Sequence, residues 1–183
     1  MRALAAALSL ALGLAVSPAA ATPPPNPRID MAAFVDDAQA FAHERESRRV
    51  DEATFLAMMR EPGTVVLDAR SRAMYERRHV AGAVSLSFPD FTAETLARAI
   101  PDSATRVLIY CNNNFANDAE AFPLKASAAS LNLSTWVALR SYGYRNVYEL
   151  GPYLDAATTA LPLVPAPRRD LTSGAGPAPS TSR

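Results

Sequence analysis

The stretch "TVVLDARSRAMYERRHVAGAVSL", residues 64–86, opens and closes on strand signals. Thr64 to Ala69 is a continuous β-branched and apolar run without polar alternation, the pattern of a strand covered on both faces in a parallel sheet. Gly82 to Leu86 repeats the signal more briefly, and "RVLIYC" (Arg106 to Cys111) and "RNVYEL" (Arg145 to Leu150) repeat it downstream. Helical segments separate these runs. Asp51 is a good N-cap for "EATFLAMMR", which sets Phe55, Leu56 and Met59 on one face and stops at Pro62-Gly63. Phe91 to Ile100 reads as a further helix. Leu131 to Gly143 is another, with Gly143 as its C-cap and Trp136 and Leu139 on a core-facing side. Strands alternating with helices build βαβ units, so the expected fold is a single α/β domain over residues 49–164, a central parallel β-sheet flanked by helices on both faces.

Upstream, Phe34, Val35, Ala38, Phe41 and Ala42 recur at helical spacing and predict an extra N-terminal helix over residues 29–48. "TPPPNPR", residues 22–28, reads as a stiff Pro-rich linker. Residues 1–21 combine a basic Arg2, an apolar run from Ala3 to Val16 and a small-residue Ala19-Ala20-Ala21 site, the layout of a signal peptide. That reading makes the mature protein periplasmic or secreted and leaves it no transmembrane segment; an uncleaved membrane anchor is the weaker alternative, because the apolar run is shorter than the ~20 residues a spanning helix needs and Pro18 follows it. Residues 165–183 are rich in Pro, Gly and Ser and read as a disordered tail.

The chain of 183 residues balances 18 Lys and Arg against 18 Asp and Glu, so no basic excess points to nucleic acid or to an anionic membrane surface. It has one cysteine, Cys111, and two histidines, His43 and His79, too few for a multi-histidine or structural zinc site; no metal and no cofactor is expected. A single thiol cannot close an internal disulfide. Cys111 is then a buried bystander, an intermolecular bridge or a reactive thiol. It ends an apolar strand, and in open parallel sheets ligands bind beyond the carboxyl ends of the strands, where loop amides and the next helix N-terminus stabilise an anion.

These residues together resemble the rhodanese-like domains. "VVLDARSRAMYERRHVAGAVSLS", Val65 to Ser87, is similar to the family's strand ending in Asp-x-Arg, its short helix and its His-x-x-Gly-Ala, here Asp68, Arg70, His79, Gly82 and Ala83. "RVLIYC" resembles the strand that delivers the catalytic cysteine, and "GYRNVYELGP", Gly143 to Pro152, the segment that closes the domain, with Gly151-Pro152 where the family usually has Gly-Gly. The resemblance implies sulfur transfer through a persulfide on Cys111, and structural roles for Asp68, Arg70 and His79.

The loop after Cys111 departs from the family. Catalytic rhodanese-like loops carry Gly and Arg soon after the cysteine, whereas "CNNNFANDAEAFPLKASAA" has neither and its first basic residue is Lys125. Cys111 to Gly143 spans 32 positions, about a dozen more than the usual loop and helix use, so an insertion is expected. A phosphatase on this fold would need an arginine six positions after the cysteine, and that position is Asn117. Asn112, Asn113 and Asn114 tolerate left-handed backbone angles and offer amide donors, so they are candidates for an anion-holding nest, unless "NNN" is simply a polar turn. With them, Phe115, Lys125 and Arg140 are the candidate substrate-binding residues, Lys125 and Arg140 as sources of the missing cation. Asp118 and Glu120 add negative charge that would oppose an anion. Arg72, Arg77 and Arg78 read as a solvated basic face, and the Asn-Leu-Ser at Asn132, a nominal glycosylation acceptor, falls inside a predicted helix.

Two functions are compatible with this reading. One is an exported sulfurtransferase in which Cys111 takes sulfur from a small sulfur-containing anion. The other is a non-catalytic rhodanese-fold module that uses the loop 112–129 to bind an unknown protein partner.

Overall fold

A computed structural model describes residues 26–165. The expected signal peptide, the first part of the expected Pro-rich linker and nearly all of the expected tail lie outside the described residues. The chain divides into two units, Met1–Asp30 and Met31–Arg183. In the first, the end of the expected stiff linker is a turn: the Arg28 amide donates to Asn26 Oδ1 at 2.9 Å and the Ile29 amide to the Asn26 carbonyl at 3.1 Å. The asparagine side chain supplies the turn that proline stiffness would have resisted.

The second unit runs α1 (Met31–Arg48), β1 (Arg49–Val50), α2 (Glu52–Met58), β2 (Thr64–Asp68), α3 (Arg72–Arg77), β3 (His79–Val80), β4 (Val84–Ser85), α4 (Ala93–Ala99), β5 (Arg106–Tyr110), β6 (Phe115–Ala116), α5 (Leu131–Ser141), β7 (Val147–Leu150), β8 (Leu154–Asp155) and β9 (Leu163–Val164). Five strands form one sheet in the order β1-β7-β5-β2-β4, every pairing parallel. β3 pairs with β9 and β6 with β8 as two small satellite sheets.

Because side chains alternate across a strand, the apolar run of each central strand serves two cores at once. Val66, Leu108 and Tyr110 face a cluster with Phe55 of α2, Val80, Phe115, Phe122 and Leu150. Leu67, Val107 and Ile109 face the other, with Phe41 of α1, Leu96 of α4 and Trp136 and Leu139 of α5. The expected two-faced parallel sheet is thus present.

Local signals set the helix ends. Asp51 Oδ1 accepts from the Thr54 amide at 2.7 Å, a bond that holds the Asp51 carboxyl below its ordinary range, and Gly143 ends α5 with φ 92°, where a Cβ would be strained. α1 departs from its periodic reading. Among its apolar residues only Phe41 is buried, stacked on Trp136 at a centroid distance of 4.4 Å, while Phe34, Val35 and Ala42 are exposed. The rest of the helix docks through polar groups: Arg140 of α5 donates to Asp37 at 3.2 Å and to Glu44 at 2.9 Å.

β1 is held at the sheet edge by a close approach. The Gly151 amide donates to the Val50 carbonyl at 2.8 Å, and a Cβ at residue 151 would lie 2.7 Å from Arg49 Cγ and 3.1 Å from that carbonyl oxygen. Gly151→Ala is expected to cost about 1–2 kcal/mol in urea denaturation, since the arginine stem can shift but the backbone oxygen cannot.

Candidate functional site

β5 ends at Tyr110, so Cys111 is the first residue beyond the carboxyl edge of the sheet, between the ends of β2 and β7. The chain turns at once into a 3₁₀ turn over Asn112–Asn114. The Cys111 amide donates to Asn114 Oδ1 at 2.9 Å, and Asn114 Nδ2 donates to the Leu150 carbonyl at 2.8 Å and the Pro152 carbonyl at 3.2 Å. Asn132 Nδ2 donates to the same Asn114 oxygen at 3.2 Å. One buried amide therefore ties the Cys111 backbone to the end of β7 and to the first turn of α5.

Cys111 is only 1% exposed, yet it lines a cavity of about 360 Å³ with Asn113, Ser130, Asn132, Glu149 and Arg45. Cys111 Sγ lies 3.4 Å from Ser130 Oγ. Ser130 precedes α5 without using its hydroxyl as a cap, so that hydroxyl is free to meet the thiol, and the N-terminal turn of α5 brings its partial positive charge to the same cavity. A neutral hydroxyl and a helix terminus can hold a sulfur anion without a neighbouring guanidinium.

The cation in the wall comes from a place that sequence proximity does not suggest. Arg45, on α1, has its Nε 2.6 Å from Glu149 Oε1; Glu149 is almost wholly enclosed, while Arg45 is about one-third exposed. Burial pushes the Glu149 carboxyl up, and the Arg45 charge pulls it back only in part. Neither residue was a sequence candidate. The available signals were a glutamate within the apolar strand "VYEL" and an arginine one helical turn beyond Phe41.

The expected substrate-binding residues are only partly brought together. Asn113 lines the cavity, but its side chain also pairs like a backbone strand with Lys125, donating to its carbonyl at 2.9 Å and accepting from its amide at 3.0 Å. Asn112 is buried in the turn. The three asparagines have right-handed angles, so no left-handed nest forms there, and Asn117, with φ 62°, is the non-glycine residue that takes the left-handed conformation among the described residues. Phe115 lies outside the cavity wall: it is 1% exposed and packs on Phe122 at 4.5 Å, because β6 turns its side chain into the core. Arg140 is spent on α1, and Lys125 is exposed and absent from the cavity wall. Asp118 and Glu120 are ion-paired with Arg78 at 3.1 Å and Arg77 at 3.5 Å, outside the cavity wall, so the burden they were expected to place on an anion is relieved. Arg78 also donates to the Ala156 carbonyl at 3.0 Å, which makes it a loop anchor rather than part of a solvated face.

Beneath the loop lies a buried polar network. Arg70 pairs with Asp68 at 2.6 Å and donates to the carbonyls of Ala121 at 2.9 Å and Arg78 at 2.7 Å, while Tyr110 donates to Asp68 at 2.5 Å. Burial and then the Asp68 charge drive the Tyr110 hydroxyl well above its ordinary range. Arg70 stays firmly charged because Asp68 outweighs the effect of burial. His79 Nδ1 donates to the Tyr75 carbonyl at 2.9 Å and its ring stacks on Tyr75 at 3.7 Å, away from the cavity wall.

The rhodanese-like domain profile matches residues 51–151. No curated protein matches the chain in sequence. Among solved structures, the chain is similar to the rhodanese-like domain of the Alr3790 protein from Anabaena sp. (16% identity, 74% of this chain and 89% of that one, TM-score 0.46) and to the BH2092 protein from Bacillus halodurans (20%, 64% and 76%, TM-score 0.43). It is also similar to a structure described as rhodanese with anions from E. coli (24%, 56% and 99%, TM-score 0.39). With the profile covering more than half of its length, from the N-cap of α2 to the glycine that closes the cavity, the chain belongs to the rhodanese-like domain family.

Proposed function

We propose that the protein is an exported sulfurtransferase that carries sulfur as a persulfide on Cys111, and that it works in the periplasm or outside the cell after loss of residues 1–21. The observation that carries this reading is the thiol itself: it stands at the carboxyl edge of β5, opens into a cavity of about 360 Å³, and has the Ser130 hydroxyl at 3.4 Å and the first turn of α5 beside it. The Cys111 thiolate attacks the outer sulfur of a sulfane donor. The new Cys111–S bond forms as the donor's sulfur–sulfur bond breaks, and the displaced group departs with the electron pair: sulfite from thiosulfate, a thiolate from an organic persulfide. An acceptor nucleophile then takes the outer sulfur and restores the thiolate. Ser130 orients the anion in both halves, and Asn114 keeps the Cys111 backbone in register with β7.

A second reading rests on Leu124, 62% exposed beside Lys125 on the enlarged loop, a place where a partner protein could bind without any chemistry at Cys111. Intact-mass and peptide mass spectrometry after incubation with thiosulfate, and separately with cysteine persulfide, distinguishes the two. A gain of about 32 Da, one sulfur atom, on the Cys111 peptide is the expected result. An unmodified peptide with both donors would reject sulfur transfer and favour the loop as a binding surface.

A further inference from the structure

The charged groups in the cavity wall are Arg45 and Glu149, one of each sign, held 2.6 Å apart. They cancel. With Cys111 as a thiolate the wall carries one net negative charge, so a dianion such as thiosulfate enters against repulsion, with no guanidinium free of a counter-charge to receive it. The same wall suits a molecule that carries both signs itself. The Arg45 side chain is about one-third exposed and meets Glu149 through Nε, so its terminal nitrogens can turn to a carboxylate. Glu149 then keeps only the weaker influence of Arg49 and Asn132, and an ammonium group supplies the contact charge that Arg45 gave up. The cavity is at the small end of ligand-site volumes, of the order taken by an amino-acid-sized molecule.

We infer that the Arg45–Glu149 pair is a specificity device that selects a zwitterionic, amino-acid-type persulfide as the sulfur donor and disfavours thiosulfate. The inference rests on the reading of Cys111 as a sulfur carrier. The step is balanced: the Cys111 thiolate and R–S–SH give Cys111–S–SH and R–S⁻, one sulfur–sulfur bond forming as another breaks, with the negative charge passing to the departing thiolate and no external oxidant. Arg45 holds the donor's carboxylate and Glu149 its ammonium while this occurs.

The test compares initial rates of Cys111 loading, read as the gain of one sulfur by mass spectrometry, for three donors: cysteine persulfide made from cystine and sulfide, its N-acetyl counterpart, and thiosulfate. The native protein is expected to load from cysteine persulfide at least about tenfold faster than from the N-acetyl donor, the low end of what one opposite charge at contact does to an ionic equilibrium. In Glu149→Gln that advantage disappears and loading from thiosulfate rises by about the same factor, because Arg45 is released to the anion. Arg45→Gln is expected to slow cysteine persulfide without helping thiosulfate. The donor comparison on the native protein needs no variant, so it stands even where Glu149→Gln fails to fold. Equal rates from the zwitterionic and N-acetyl donors would overturn the specificity inference and leave sulfur transfer intact. No loading from any donor would overturn the sulfur-carrier reading and the inference with it.

Discussion

Cys111→Ser is expected to abolish sulfur loading from every donor while leaving the protein folded. Oxygen is smaller than sulfur and so fits the space without a clash, and the residue is 1% exposed in a wall that already contains Ser127 and Ser130, so a hydroxyl finds hydrogen-bonding company there. The change in denaturation midpoint should correspond to less than about 1 kcal/mol. A hydroxyl, unlike a thiol, is not appreciably ionised near neutral pH and cannot displace a thiolate or sulfite from a sulfane sulfur. The chain has no other cysteine, so there is no second thiol to take over and the loss should be complete. Mass spectrometry and a circular-dichroism melt on the same sample check both halves. Residual loading in Cys111→Ser would place the chemistry elsewhere.

The largest loss of stability is expected from Arg70→Ala, about 3–5 kcal/mol in denaturant unfolding. Arg70 is 1% exposed and meets Asp68, Ala121 and Arg78 at once, with its guanidinium 4.5 Å from the Phe122 ring centroid. Its removal leaves the fully enclosed Asp68 carboxylate with the Tyr110 hydroxyl and the residue-70 amide as its remaining bonds, and takes the guanidinium donor from the buried Ala121 carbonyl and the part-buried Arg78 carbonyl. Replacing Asp68 and Arg70 together with apolar residues should cost clearly less than Arg70→Ala alone, because the expense lies in the orphaned charge rather than in the loss of the pair. A double replacement as costly as the single one would mean that the carbonyl anchors, not the ion pair, dominate. Arg70 also pins the loop near Ala121, so the single variant should expose that loop to proteolysis first.

Asn114→Ala is expected to slow loading of Cys111 by about tenfold and to cost about 1–3 kcal/mol, as it frees the Cys111 amide and the Leu150 carbonyl in a buried site. Asn114→Asp separates the roles: it keeps the acceptor for the Cys111 amide and loses the donors to Leu150 and Pro152. Loading that survives in Asn114→Asp would assign the kinetic effect to the Cys111 amide alone.

The long strands were legible because burial on both faces writes an unbroken apolar run, as in "TVVLDA" and "RVLIYC". Cys111 was legible for the same reason, since the end of such a run marks the edge where ligands bind. β1, β3, β4, β6, β8 and β9 have two residues each, too few for any period to show; of these, only the segment around β4 was read as a strand, on its apolar run. The asparagines were legible as unusual but not in role, because an Asn side chain mimics a peptide group and its partners, Leu150, Pro152 and the Lys125 backbone, lie 12 to 38 residues downstream. Which arginine lines the cavity was hidden for a related reason. Arg140 is near Cys111 along α5 but turns to Asp37 and Glu44, whereas Arg45 comes from a helix that precedes the family-matched segment.

The placement of the short strands bears on how the protein behaves at high concentration. An open sheet edge is a row of free amides and carbonyls on which another chain can add a strand, and long flat edges are templates for aggregation. Here the two five-residue strands, β2 and β5, and the four-residue β7 sit inside the sheet, and each rim is a strand of two residues, Arg49–Val50 on one side and Val84–Ser85 on the other. One rim begins with an arginine. Each rim strand offers a visiting strand only a two-residue ladder before the chain turns away, so the brevity of the rim strands limits self-templating.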